Sequence, residues 1–275
     1  MLDSRPVAAT PYRLRVSTDL ELATHVAREA GQLLLDIREQ AGPIAPDDKP
    51  ALKELRDSAD SRSNELILAA LNEARPQDAI LSEEAKDNDL RLAAQRVWIV
   101  DPLDGTWEYG QGRPDFGVHI ALYEPAGNNM KVGVVDLPAQ GLTRTSGDPA
   151  PVLPPIPEDR PLRVVASRTR PPAELDAIVA RWAELAGRAV EIVNVGSVGA
   201  KVNEILLGNA EAYLHDTGFF EWDLAAPLAV GEHYGLVMDH WDGEEITFNH
   251  MPPFVKNVFV ARPEIVADLR AALSA

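Results

Sequence analysis

Cysteine is absent from the chain, which excludes disulfide scaffolding, a thiol nucleophile and any zinc site built on thiolates, and fits a reducing compartment. Basic residues are scarce. Lys and Arg number 26 against 43 Asp and Glu, for a net charge of −17 and a pI near 4.7. Long nucleic acids are held by clustered Lys and Arg, so polymeric nucleic acid is not an expected partner. A small phosphorylated molecule remains open, provided a bound cation supplies positive charge locally. Long apolar runs are missing too: none approaches the ~18 residues of a spanning helix, and no charged-then-apolar leader opens the sequence. The expected setting is therefore the cytoplasm, with no membrane partner. Aromatics make up only 6%, but 45% hydrophobic and 25% charged residues describe a folded globular chain. Its 275 residues suffice for one large domain or two modest lobes sharing a core.

The pattern along the chain is layered. Residues 1–17 are of mixed character and read as a lead-in. Thr18-Asp-Leu-Glu21 has the form of a capping box, and Leu22, Val26, Leu33, Leu34 and Ile37 follow at helical spacing. Gly42, Pro43, Pro46 and Pro50 are expected to break that helix, with a second helix over 52–73 ending before Pro76. Short strands are expected at 79–81 and 97–100, then longer ones at 116–123 and 130–135, antiparallel neighbours joined by a turn at Gly127 to Asn129. Six prolines between 149 and 161 mark a linker, dividing an N-terminal α+β lobe (1–148) from a C-terminal α/β lobe (162–275). Beyond it, strands at 162–166, 190–193 and 212–214 alternate with helices at 172–186, 198–207 and from 222, a layered α/β arrangement.

Three acidic motifs carry the chemistry. WIVDPLDGT over 98–106 ends an apolar strand in two carboxylates, Asp101 and Asp104, followed by a Gly-Thr turn. Carboxylates are hard oxygen ligands suited to Mg²⁺. Gly105 permits close backbone approach, and the N–H groups opening the next segment can point at phosphate oxygens. An ordinary Asp/Pro/Gly turn is the plain alternative. LSEE over 81–84 reads either as a ligand pair or as a helix start capped by Ser82. EWDLAA over 221–226 places Asp223 at a helix start, where an aspartate commonly serves as a cap. Asp60 alone would pass for a solvated helix residue. Gathered in one cleft, however, Glu83, Asp101, Asp104 and Asp223 would repel strongly, by about 4 kcal/mol for each pair at 4 Å and an effective dielectric near 20. Such a cluster persists when cations neutralise it, and an all-oxygen set selects Mg²⁺.

The order SEE, WIVDPLDGT, EWDLAA resembles the Mg²⁺-dependent, lithium-sensitive inositol monophosphatase superfamily, from about Asp19 to Arg262, and the interval from Asp60 to Glu83 matches that family's spacing. The resemblance implies an αβαβα sandwich of the sugar-phosphatase type, α/β (α+β) in class, with two lobes and the active site between them. It further implies that Glu83, Asp101, the Leu103 carbonyl, Asp104 and Asp223 hold two or three Mg²⁺ ions. Thr106 and Glu83, supported by Asp60, would orient the attacking water, and Gly105 and Thr106 N–H groups would hold the phosphate. Homodimers are common among such proteins.

Within the superfamily, LSEEAKDN, DPLDGTWEYG, VVASRTRPP, GSVGAK and FEWDLAAP are similar to the bacterial 3′(2′),5′-bisphosphate nucleotidases of sulfur metabolism. That likeness implies nucleotide contacts from Ser167, Arg168, Arg170, Gly196, Ser197 and Lys201, whose cations suit a second phosphate. Relatives differ at Arg170, often His, and in the spacing to Lys201. Asp216 occupies a region where inositol monophosphatases carry an acidic residue that binds a sugar hydroxyl. Removal of the 3′-phosphate from 3′-phosphoadenosine 5′-phosphate is the leading expectation. Inositol-1-phosphatase or fructose-1,6-bisphosphatase activity is the alternative, and a non-catalytic phosphate-binding protein is a distant third. His119 reads as a satisfied core residue, His215 as a candidate for the pocket border, and His25, His233, His240 and His250 as surface groups. Trp222 is expected to pack behind Asp223; Trp107 and Tyr109 either line the cleft mouth or pack.

Overall fold

Thr18 opens the first helix, α1 (Asp19–Ala41). Its hydroxyl accepts from the Glu21 N–H at 3.2 Å while Glu21 accepts from the Thr18 N–H at 2.8 Å, a reciprocal box for N–H groups that a helix start leaves free. Leu22, Val26, Leu34 and Ile37 then bury one face. The computed structural model describes residues 17–149, 152–216 and 218–274; apart from Ser17, the expected lead-in lies outside the described residues. The second helix, α2 (Lys49–Ala74), starts earlier than expected. Pro50 does not break it but sits in its first turn, where no N–H is lost and a fixed φ suits the helix.

β1 (Ala79–Ser82), β2 (Val97–Asp104), β3 (Gly117–Glu124), β4 (Asn129–Leu137) and β5 (Leu142–Thr145) form one sheet in sequence order. β1 joins β2 in parallel and the other pairs are antiparallel. A short helix, α3 (Thr106–Gly110), lies between β2 and β3. The turn from β3 to β4 passes through Gly127 and Asn128 at positive φ, as expected for a tight connection.

The second half supplies β6 (Leu162–Ser167), α4 (Leu175–Ala186), β7 (Val190–Val195), α5 (Val198–Leu206), β8 (Ala212–His215), β9 (Phe219–Phe220), α6 (Glu221–His233), β10 (Val237–Asp239), β11 (Phe254–Val255), β12 (Val258–Ala261) and α7 (Val266–Leu273). Five of these strands make a second sheet in the order β10-β12-β8-β6-β7, and β9 pairs with β11 as a separate ribbon. α1 and α2 cover the outer face of the first sheet, α5 and α6 fill the space between the sheets, and α4 and α7 cover the second sheet. The result is an αβαβα sandwich. Both faces of the first sheet are thus covered, so β3 is buried from Gly117 to Tyr123 rather than alternating with solvent. No helix among the described residues is long and apolar enough to cross a membrane.

Candidate active site

β2 delivers two carboxylates because its end is bent. The pairing register with β3 shifts between Asp101 and Asp104, and Pro102 lies in the bulge. Asp101 Oδ1 accepts from the Leu103 N–H at 3.0 Å, and the Pro102 carbonyl accepts from Ser63 Oγ on α2 at 2.8 Å. Gly105 follows at φ +88°, and an added Cβ would meet the Asp115 carbonyl at 3.1 Å. A left-handed residue in so tight a place favours glycine. Thr106 then starts α3, and its hydroxyl donates to the Leu103 carbonyl at 3.0 Å.

α6 supplies the third carboxylate. Asp223 Oδ2 accepts from the Phe220 N–H at 2.7 Å, so it caps the helix and faces the cleft at once. One ligand oxygen from each of Asp101, Asp104 and Asp223 lies within 4.8 Å of the others. Glu83 lines the same open cleft, of about 720 Å³, from a turn after β1. The alternative helix start at Ser82 does not form; Ser82 ends β1 and donates to Asn64 Oδ1 at 2.7 Å. Asp60, on α2, lies beside Glu83 and Glu84 without lining the cleft.

The cluster is electrostatically stressed. Burial raises Asp101 well above the usual carboxylate range, with Glu83, Asp104 and Asp223 adding like charge. Burial and then Asp104 and Glu83 push Asp223 up to about 8. Burial likewise carries Glu83 to about 7, against a hydrogen bond with Asp101 and with further repulsion from Asp60 and Asp104. Asp60 also reaches about 7, through desolvation and then Glu84. Asp101 Oδ2 is buried with no hydrogen-bond partner. An orphaned oxygen amid convergent hard donors fits a divalent cation bound by oxygen.

Behind Asp104 stands a support that the sequence did not disclose. Asp104 Oδ2 accepts from Ser197 Oγ at 2.7 Å and, in a very short contact, from the Val198 N–H opening α5. His119 Nε2 is 3.4 Å from the same oxygen. The ring is buried, with no well-formed hydrogen bond at either nitrogen, and desolvation holds it below its ordinary pKa. His119 is thus a buried strand residue, as expected, that also neighbours the cluster.

The opposite wall is cationic. Lys201 on α5 is buried, and its ammonium lies 5.2 Å from the Tyr213 ring centroid, with no ion pair among the described residues; burial lowers its pKa, against Asp104, Glu108 and Asp223. Arg170 is exposed on the same wall, its guanidinium without an ion pair among the described residues, while its N–H donates to Ser167 Oγ at 3.1 Å. Ser167, Gly196 and Ser197 also line the cleft. Arg168 does not: it is paired with Glu108 at 2.7 Å and Asp115 at 2.9 Å. Asp216 is also outside, accepting from the Ala173 N–H at 3.1 Å. His215 lines the wall in its place, held down to about 4 by burial and then by Lys201 and Arg170. Tyr213, which lines the cleft beside it, carries no motif by which a sequence reading could find it.

The aromatic alternatives divide cleanly. Trp107 is 42% exposed at the cleft, whereas Tyr109 is buried and donates to the Leu34 carbonyl at 2.9 Å. Trp222 stacks on Phe220 with centroids 4.4 Å apart. His240 is not a surface group; it is buried, with Nδ1 against the Asn257 carbonyl.

Known proteins are similar in sequence and arrangement. The model of the inositol monophosphatase family matches residues 16–274. A 3′-phosphoadenosine 5′-phosphate phosphatase of Mycobacterium leprae is 39% identical over 266 residues, 92% of either chain. The 3′(2′),5′-bisphosphate nucleotidase CysQ of Salmonella typhimurium is 28% identical over 253 residues, 87% of this chain and 98% of that one. The crystal structure of CysQ from Bacteroides thetaiotaomicron superposes with a TM-score of 0.71 at 24% identity, over 90% of this chain and 98% of that chain, and shares the fold. The acidic cleft and a match that runs through almost the whole sequence lead to one assignment: the chain belongs to the inositol monophosphatase family, a family of metal-dependent phosphatases.

Proposed function

We propose that this phosphatase removes the 3′-phosphate of 3′-phosphoadenosine 5′-phosphate. The observation that carries the reading is the pair of unpaired cations, Lys201 and Arg170, on the wall facing the carboxylates. A monophosphate is served by the cation that the carboxylate side would hold; a buried ammonium that makes no ion pair among the described residues favours a second anionic group. The relatives named for this substrate support the same choice.

In this reading Glu83, Asp101, Asp104, Asp223 and the Leu103 carbonyl hold Mg²⁺, in two or three sites. When bound, the metal lowers the pKa of a coordinated water and offsets charge on the transferring phosphoryl group. Thr106 and Glu83 orient the attacking water, with Asp60 behind them. The Gly105 and Thr106 N–H groups face the scissile phosphate from the start of α3, where no side chain caps the helix. Ser167, Arg170, Gly196, Ser197 and Lys201 receive the nucleotide. Arg168, paired with Glu108 and Asp115, braces that wall without touching substrate. Asp216, turned toward residue 173, gives the polyol alternative little support.

The test is phosphate release from 3′-phosphoadenosine 5′-phosphate, inositol 1-phosphate and fructose 1,6-bisphosphate, with Mg²⁺ and with EDTA. A higher kcat/KM for the nucleotide, abolished by EDTA, is expected. A preference for inositol or fructose phosphate would transfer the assignment to the sugar phosphatases.

A further inference from the structure

Tyr213 is unusual among the cleft residues. It is fully buried, and its hydroxyl makes no hydrogen bond among the described residues, although buried polar groups are nearly always paired. The residue nonetheless contributes to the lining of the cleft, beside Lys201. Its position follows from β8, which pairs in parallel with β6 at Val165 and antiparallel with β12 at Val260. A central strand fixes the side chain's direction. The Lys201 ammonium sits over its ring and, like the hydroxyl, has hydrogen-bonding capacity to spare. An ammonium offers donors only, and a phenol can donate as well as accept. Two donors without a partner among the described residues, one of them charged, select an anion.

We infer that the Tyr213 hydroxyl donates to the phosphate distal to the scissile one, sharing that group with Lys201 and thereby setting preference for a bisphosphate. The inference rests on the proposed nucleotide substrate and adds to it a specificity residue. Removing the hydroxyl leaves the ring that supports Lys201 in place, so Tyr213→Phe isolates the hydrogen bond.

The comparison uses 3′-phosphoadenosine 5′-phosphate and adenosine 3′-phosphate, which differ only in the distal phosphate, at saturating Mg²⁺. Tyr213→Phe is expected to lower kcat/KM for the bisphosphate about 10- to 100-fold, the range for losing a hydrogen bond to a charged group. The loss should fall on KM, with adenosine 3′-phosphate changing less than about 2-fold. Lys201→Gln should erode the same preference. Because both donors serve one anion, the double variant should lose less than the product of the single effects. Adenosine 5′-phosphate, measured by calorimetry, should bind the Phe variant more weakly by the same factor. Equal losses on both substrates, or none on either, would overturn the inference, as would independent effects in the double variant. A wild-type enzyme with no preference for the bisphosphate would instead overturn the substrate assignment itself, and the role of Tyr213 with it.

Discussion

At the scale of single residues, the site is built from ligands and from the groups that aim them. Asp104 shows the distinction. It offers an oxygen to the acidic triad while Oδ2 is held by Ser197 Oγ, by the Val198 N–H and by contact with His119. Groups that hold a metal ligand in place commonly change metal affinity by 10- to 100-fold when removed. Ser197→Ala is therefore expected to raise the Mg²⁺ concentration for half-maximal activity by about that factor, with most of kcat recovered at saturating metal. The same variant removes the cap at Ala200, bonded at 3.2 Å, for a loss of about 1 kcal/mol in stability. A Mg²⁺ titration of phosphate release, alongside a denaturant midpoint, separates the two effects; an unchanged metal requirement would leave Ser197 as a cap alone. The acidic residues were legible in the sequence because each sits at an element end within a dense motif. Ser197's grip on Asp104 was not, since the two are joined only when α5 docks against β2. For the same reason Arg168 and Asp216, expected as substrate contacts, lie outside the cleft lining: short-range pattern identifies the loop, but tertiary pairing decides which of its side chains lines the cleft.

Elements are constrained by how closely they approach. β4 meets α6 at Gly133, where an added Cβ would lie 2.4 Å from Ala229 Cβ and 3.0 Å from the Ala226 carbonyl. Neither neighbour can rotate away, so Gly133→Ala must separate strand from helix. A cost of about 1–3 kcal/mol is expected, as for other overpacked cores, read as a lower denaturant midpoint. Asp136, three residues further along the same strand, gives a pH signature instead. Burial raises its pKa to about 6, against a hydrogen bond from Thr143 and the charge of Arg28. The folded state then holds the proton more tightly than the unfolded chain, whose value is near 3.8. Stability contributed by this group is complete below about 4 and is lost as pH rises toward 6. At neutral pH the ionised carboxylate thus costs up to about 3 kcal/mol. Asp136→Asn should be more stable than the wild type at pH 7, by about 1–3 kcal/mol, and the advantage should vanish near pH 4. Equal midpoints at both pH values, measured with Mg²⁺ saturating, would refute this. Helices and strands were largely readable from periodicity and capping, as the box at Thr18 illustrates. The errors arose where one residue type serves two geometries. Pro50 begins a helix as readily as it ends one, and β2 continues through Pro102 because a bulge absorbs it.

Across the whole molecule, the cleft lies where three layers meet. Asp101 and Asp104 come from the first sheet, Asp223 and Lys201 from the helices between the sheets, and Arg170 follows β6 of the second sheet. The alternation of expected strands and helices foreshadowed such a layered chain, and the motif order predicted its acidic centre. No local pattern could state that one helical layer would serve both sheets. This placement makes metal binding a matter of global stability. Without a cation, buried carboxylates face one another across β2 and α6, and folding must either protonate them or tolerate their repulsion. A cation that binds only the folded arrangement stabilises it by mass action, about 2.7 kcal/mol at a concentration 100 times its dissociation constant. For a chain of this size that corresponds to a rise in Tm of roughly 5–10 °C. Thermal unfolding with millimolar Mg²⁺ should show this rise, and EDTA should reverse it. Asp104→Asn, which relieves repulsion but removes a ligand, should match or exceed the wild-type Tm in EDTA while losing most of the response to Mg²⁺. A wild-type Tm indifferent to Mg²⁺ would mean that the carboxylates do not share a cation, and the metal assignment would fall. A variant that still responds fully would show that the cation is held elsewhere.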